Sequence, residues 1–270
     1  MGEQSIDNLG IIWRSVSGLC AELDDADWAK ETACPGWTVQ DQLSHLIAPE
    51  AVFLGRPQPA AVDVAPPWVN NDLGKLNEGP VAYRREWPPA DVLTEFNEVI
   101  AERLEQLEAM TDEDLDEDSW TPVGPGTYRD LLAIRVFDSW IHEQDIREAV
   151  SRPGHVGGPV AEQALGRCFR AMPMIVGKKA EAPNGAVVRF EITGETPGSL
   201  DIGVREGRAY PLDAPSAGDV TTTVRAEFLP YSRVCAGRRD PLVAEAAGEV
   251  TASGDEKLGE AVVRSLPFMF

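Results

Sequence analysis

The stretch Ile134-Arg135-Val136-Phe137-Asp138-Ser139-Trp140-Ile141-His142 decides the fold. With Leu132 and Ala133, the side chains of Val136, Phe137, Trp140 and Ile141 cover much of a helix circumference, so a helix here is largely buried. Arg135, Asp138, His142 and Asp145 fall on one narrow strip. Asp138 and His142 stand one turn apart, about 40° around the axis and about 6 Å along it, so both can point at one ion. A polar strip on a buried helix needs partners. In a bundle, facing helices supply them. The same spacing also serves a structural Asp–His hydrogen bond.

Working outward, Thr127-Tyr128-Arg129-Asp130 follows Gly124-Pro125-Gly126 and is a capping pattern that starts this helix, which reaches about Val150. A like pattern, Thr38-Val39-Gln40-Asp41, follows the turn Cys34-Pro35-Gly36-Trp37 and opens a helix into Phe53, with Pro49 expected to kink or shorten it. Val39, Leu43, Leu46, Ile47, Phe53 and Leu54 form its apolar side. His45 lies about 120° from Val39, off that stripe and on the side of Asp41. Alone it reads as a surface histidine. Joined to Asp138 and His142, it gives a divalent metal one carboxylate and two imidazoles and leaves a position open, the arrangement of catalytic zinc. The remaining histidine, His155, lies among Gly and Pro residues without a partner pattern and reads as an exposed loop residue.

Other helices are expected from about Ile6 to Leu23 and from Asp91 through Leu107. Residues 55–90, dense in proline, read as a long excursion or lid without regular structure, and the acidic run Thr111 to Asp118 as a solvated loop. Past the hinge Ser151 to Pro159 and one more helix to about Val176, the pattern alternates. Strands are expected at 188–193, 199–204, 220–224 and 249–252, with helices at 228–235 and 255–266. The reading is an N-terminal helical bundle over 1–152 and a small α+β domain over 159–270.

The chain has 270 residues and a formal net charge of −21, which makes nucleic acid a poor partner and none is expected, since phosphate neutralisation needs a basic surface. No apolar run approaches the roughly 20 residues of a spanning helix. The opening MGEQSIDNLG reads as neither a secretory leader nor a myristoylation signal, since Ile6 stands where Ser or Thr is needed, so a cytoplasmic location is expected. Cys20, Cys34, Cys168 and Cys235 form no CxxC pair, which suits a reducing compartment. Cys34 reads as an inert turn cysteine, with a reactive thiol as the alternative.

Trp28 with Cys34-Pro35-Gly36-Trp37-Thr38-Val39-Gln40-Asp41-Gln42-Leu43-Ser44-His45-Leu46, and Phe137-Asp138-Ser139-Trp140-Ile141-His142-Glu143-Gln144-Asp145-Ile146-Arg147, resemble the two signatures of the mycothiol-dependent maleylpyruvate isomerase family. That family lies within the wider DinB-like metal-binding bundles. More weakly, the C-terminal half is similar to a sterol-carrier-protein-like module. The resemblance implies a four-helix DinB-like bundle and His45, Asp138 and His142 as ligands of a divalent ion, usually zinc. It also implies mycothiol as the thiol, and a catalytic arginine from the second domain. Arg238 is the nearest counterpart, with Arg239, Arg225 and Arg233 as alternatives. The characterised isomerase pattern has Glu where this chain has Asp138.

A metal deprotonates a thiol that is otherwise mostly protonated at neutral pH, and an arginine can clamp a substrate carboxylate. The expected function is therefore mycothiol transfer to an electrophilic small molecule, with maleylpyruvate cis–trans isomerisation as the alternative. Two rivals remain at this point: a non-enzymatic metal- and ligand-binding module, and a metal-dependent hydrolase with Glu50, Asp41 or Asp145 as base. The oligomeric state is not legible.

Overall fold

Thr38 and Thr127 each open a helix in the way their sequences demand. Thr38 Oγ1 accepts from Asp41 N at 3.4 Å while Asp41 Oδ2 accepts from Thr38 N at 2.9 Å. Thr127 and Asp130 repeat the exchange at 3.2 Å in both directions. Two of the orphan donors at each helix start are thereby satisfied. The structure, a computed structural model, describes residues 2–62, 64–213 and 219–269. The chain forms two compact units, Met1–Gly154 and His155–Phe270.

In the first unit, α1 (Gly2–Cys20), α2 (Asp25–Trp28), α3 (Val39–Phe53), α4 (Asp72–Arg84), α5 (Pro89–Glu108), α6 (Asp112–Leu115) and α7 (Tyr128–Ala149) follow in order, with a hairpin β1 (Asp118–Thr121) and β2 (Gly124–Thr127) before α7. The four long helices form the bundle: α1 packs on α5 and α7, and α3 packs on the same two. Its core is Leu9, Ile12, Trp13 and Val16 of α1, Leu43 and Leu46 of α3, Phe96 and Val99 of α5, and Val136, Trp140 and Ile141 of α7, all fully buried. Each side chain of this size contributes about 1.5–3 kcal/mol on burial. Pro49 lies inside α3 without ending it.

Two expectations for this unit are corrected. The proline-rich segment holds α4, which Asn71 caps through Gly74 N at 2.8 Å and which carries Pro80 within it. The acidic run holds α6, closed by a capping box of Thr111 and Asp114, and leads into β1. Local side-chain-to-backbone bonds outweighed charge and proline content in both places.

The second unit comprises α8 (Pro159–Met174), a π-helical turn Ile175–Lys179, β3 (Val187–Thr193), β4 (Gly198–Arg205), β5 (Arg208–Leu212), β6 (Thr222–Glu227), α9 (Phe228–Cys235), α10 (Pro241–Ala246), β7 (Val250–Gly254) and α11 (Glu256–Ser265). The sheet runs β5-β4-β3-β6-β7, with β3 and β6 parallel and the other pairs antiparallel. Val188, Phe190 and Ile192 of β3 point to the side packed by helices, opposite Ile202, Leu200 and Gly198 of β4. Strand β5 and helix α10 are additions to the sequence reading. The β4–β5 turn places Glu206 at φ 54° and Gly207 at φ 72°, as a tight hairpin turn requires.

Candidate metal centre

His45 comes from α3, and Asp138 and His142 come from α7, two helices that pack on each other. Their ligand atoms lie within 4.8 Å of one another, forming the metal-ligating cluster found among the described residues. His45 Nε2 is 3.3 Å from Asp138 Oδ2, and His142 Nε2 is 3.6 Å from Asp138 Oδ1. Ligand atoms about 2.0–2.2 Å from a tetrahedral ion stand about 3.3–3.5 Å apart, so the spacing and the donor types fit a divalent metal. The aspartate, although one methylene shorter than glutamate, reaches both rings. His45, expected off the core stripe, is only 6% exposed and His142 only 4%.

The electrostatics suit cation binding. Burial, the largest influence on His45, drives its pKa down to about 4 against the pull of Asp138, so the ring is neutral and keeps a lone pair. Burial acts to raise the Asp138 pKa, but Arg135 and then His45 outweigh it and hold the carboxyl well below its usual range. At neutral pH His45 is thus a neutral imidazole donor and Asp138 a carboxylate, the forms a metal requires.

Around them lies a shell that sequence reading did not assign. Trp37 covers both rings, its centroid 5.1 Å from His45 and 5.9 Å from His142, and the two imidazoles are 4.5 Å apart. Its Nε1 donates to the buried Glu78 Oε2 at 2.9 Å. Fully buried Gln42 meets His142 Nδ1 through Oε1. Arg135 Nη1 donates to Asp138 Oδ2, and Arg135 Nε donates to Glu50 Oε1 at 2.8 Å. The other oxygen of Glu50 accepts from Arg103 Nε at 3.0 Å. Arg135 Nη2 is buried without a hydrogen-bond partner among the described residues. The turn containing Trp37 was visible in the sequence, whereas nothing in the α3 pattern singled out Gln42.

The candidate bases divide by their partners. Glu50 is held between two guanidinium groups, and Asp41 is held by its cap and by Arg85 Nε at 3.1 Å. Asp145 Oδ2 lies 3.5 Å from His142 Nδ1. In the second unit, half-buried Arg238 donates through Nη1 to Ala236 O at 3.1 Å. Arg239 forms a two-point bond with Glu249 at 2.7 and 3.0 Å, and Arg225 bonds Glu191 at 2.6 Å. Cys34 is half-buried, and its backbone N–H donates to Thr32 Oγ1 at 3.2 Å. Among the described residues no helix is long and apolar enough to cross a membrane.

A family model described as the mycothiol maleylpyruvate isomerase N-terminal domain matches residues 9–147, just over half the chain. A crystal structure of the mycothiol-dependent maleylpyruvate isomerase is 17% identical, with a TM-score of 0.55, and covers 94% of this chain and 93% of that chain. A histidine-to-alanine variant of that enzyme aligns over the same shares at 17% identity and a TM-score of 0.54. The YfiT protein from Bacillus subtilis, a four-helix bundle, is 14% identical, covers 56% of this chain and 85% of that one, and has a TM-score of 0.37. At these identities the likeness is one of fold. No curated protein sequence gives a significant match.

Proposed function

The chain belongs to the mycothiol maleylpyruvate isomerase family, and we propose that it is a mycothiol-dependent, divalent-metal enzyme that transfers the thiol to an electrophilic small molecule. One observation carries the reading. Two imidazoles and a carboxylate from α3 and α7 converge within 4.8 Å, with three protein donors and no fourth His, Cys, Asp or Glu in the cluster among the described residues. Structural zinc sites are saturated by protein, whereas catalytic sites keep a position for water or substrate. His45, Asp138 and His142 would hold the ion, with zinc the choice that the imidazole and carboxylate donors suit. When bound, it supplies the acidity that keeps a thiol ionised at neutral pH.

The chain's own groups supply the rest. Trp37 shields both rings on one side. The Arg135–Glu50–Arg103 network fixes the carboxylate of Asp138. Arg238 is the proposed clamp for a substrate carboxylate, because a guanidinium binds such a group with two parallel bonds. In transfer, a carbon–sulfur bond forms at the electrophilic carbon and the leaving group departs with its electron pair. Engagement of Glu50 by two arginines and of Asp41 by its cap and Arg85 speaks against hydrolysis through either as base. The enzyme would act in the cytoplasm, on small molecules.

Isomerisation of maleylpyruvate is the second reading, favoured by the family's own description. There thiol addition turns the double bond into a single bond, rotation follows, and the thiol is expelled. Incubation of the zinc-loaded protein with mycothiol and a panel of electrophiles, with and without chelator, separates the two. Chelator-sensitive consumption of mycothiol into conjugates supports transfer, and trans product with mycothiol unchanged supports isomerisation. Absence of both with metal bound would overturn the reading.

A further inference from the structure

A histidine binds a metal only through a nitrogen that carries no proton, and the partner of its other nitrogen decides which one that is. His142 Nε2 faces Asp138, whereas His142 Nδ1 faces Gln42 Oε1. An amide is directional, so the orientation of Gln42 decides the tautomer of His142. We infer that Thr32, through Gln42, sets that tautomer and is a positioning residue of the metal centre.

The proton count runs outward from the ring. The Thr32 hydroxyl has one proton and two acceptor lone pairs. Both lone pairs are in use: Gln42 Nε2 donates to Oγ1 at 2.5 Å and Cys34 N donates to it at 3.2 Å. Its proton goes to Trp37 O at 2.9 Å, the nearer of its two carbonyl acceptors, Cys34 O standing at 3.5 Å. With that proton committed, Gln42 presents its NH2 to Thr32 and its carbonyl to His142. The carbonyl needs a donor, so Nδ1 carries the proton and Nε2 keeps the lone pair. Reversing the amide would take the Thr32 proton from Trp37 O and would turn an NH2 toward Nδ1, leaving the proton on the nitrogen that faces Asp138. The two carboxylates that face the ring oppose each other, Asp145 Oδ2 at 3.5 Å from Nδ1 and Asp138 Oδ1 at 3.6 Å from Nε2, so the amide of Gln42 decides between the two tautomers. Thr32 and Gln42 belong to a turn and a helix start that the hydroxyl ties together, so the direction is read from the backbone carbonyl of Trp37, the residue that covers both rings.

This deepens the metal-enzyme reading and rests on it only for its consequence; the tautomer itself belongs to the metal-free protein. Nitrogen-15 NMR of metal-free wild-type protein should show His142 protonated at Nδ1 and bare at Nε2. Thr32→Val should mix or reverse that pattern and weaken Zn²⁺ binding, measured by chelator competition, about 10-fold or more, within the 10- to 100-fold range of outer-shell mutations. Thr32→Ser keeps the hydroxyl and should match wild type. Gln42→Glu presents oxygen to both neighbours whichever way it turns, so it should restore both tautomer and affinity in the Thr32→Val background. A wild-type ring protonated at Nε2, or Thr32→Val protein with unchanged tautomer and affinity, would overturn the inference. Should Thr32→Val not fold, Thr32→Ala, which also removes the hydroxyl, takes the same two readouts with the same expected outcome. Wild-type protein with the expected tautomer but no Zn²⁺ affinity would sink the metal reading alone.

Discussion

Both units have an apolar core, but they differ in the charge they bury beside it. Inside the first lie Asp41, Glu50, Glu78, Arg84, Arg103, Arg135, Glu143 and Asp145 besides the two histidines, while the second, among the described residues, buries one charged residue, Asp201. Asp201 pairs with Arg189 across β3 and β4 on the polar side of the sheet. The core of the second unit is otherwise Val188, Phe190, Ile202, Tyr231, Val262 and their neighbours. Buried ion pairs are poor sources of stability, because the cost of desolvation consumes the attraction. A bundle stabilised by packing alone would not carry so many. The contrast teaches that the first unit is shaped by the centre it holds and the second by its own core.

The contrast can be broken where it is sharpest. Glu50→Ala leaves Arg103 and Arg135 buried against each other without their shared carboxylate, and should cost about 3–5 kcal/mol in urea denaturation. If it cost no more than a surface pair, the polar interior would be incidental. Replacing Glu50, Arg103 and Arg135 together by Leu and Met should sharpen the comparison. Stability should recover relative to Glu50→Ala but stay below wild type, because Asp138 is left without Arg135, while Zn²⁺ affinity falls because Asp138 loses the guanidinium that orients it. A triple variant that kept full affinity would refute a positioning role for the network.

At the partly solvated pair of the second unit the effect should be small. Asp201→Asn removes a bond whose arginine side chain is 23% exposed, so its cost in urea denaturation should be far smaller than that of Glu50→Ala. Smaller still is the expected outcome of thiol labelling in native buffer. Cys20 is buried, which pushes its thiol up to about 12, and Cys235 is raised by burial and then by Cys168. Cys20, Cys168 and Cys235 are buried and Cys34 half-buried, so Cys34 should label first and the others only on unfolding. Rapid modification of Cys168 or Cys235 would contradict the closed core drawn for the second unit.

What could be read from the sequence was local and periodic. The capping boxes at Thr38 and Thr127 announced α3 and α7, and the one-turn spacing of Asp138 and His142 announced a shared direction. The alternation at 188–193 and 199–204 announced β3 and β4. Helix α4 escaped because prolines mark breaks by default, yet Pro80 lies within it, and Gly79 beside it lets the backbone at Ala60 approach where a Cβ would lie 2.0 Å from its carbonyl oxygen. Strand β5 escaped because its turn uses Glu206 at positive φ, where Asn or Asp would have been the signal. Trp37 over the imidazoles, the Glu50 clamp and the Thr32–Gln42 relay come from residues distant in sequence or fixed by one hydrogen bond. Periodicity carries no trace of such contacts.

The central claim is tested most directly by metal content. Protein stripped with chelator, reloaded with Zn²⁺ and freed of excess should hold about one ion per chain, the number a single site takes, and His45→Ala, Asp138→Ala and His142→Ala should each lose it while staying folded. Wild-type protein that retains no zinc, or three variants that retain it as wild type does, would contradict the account.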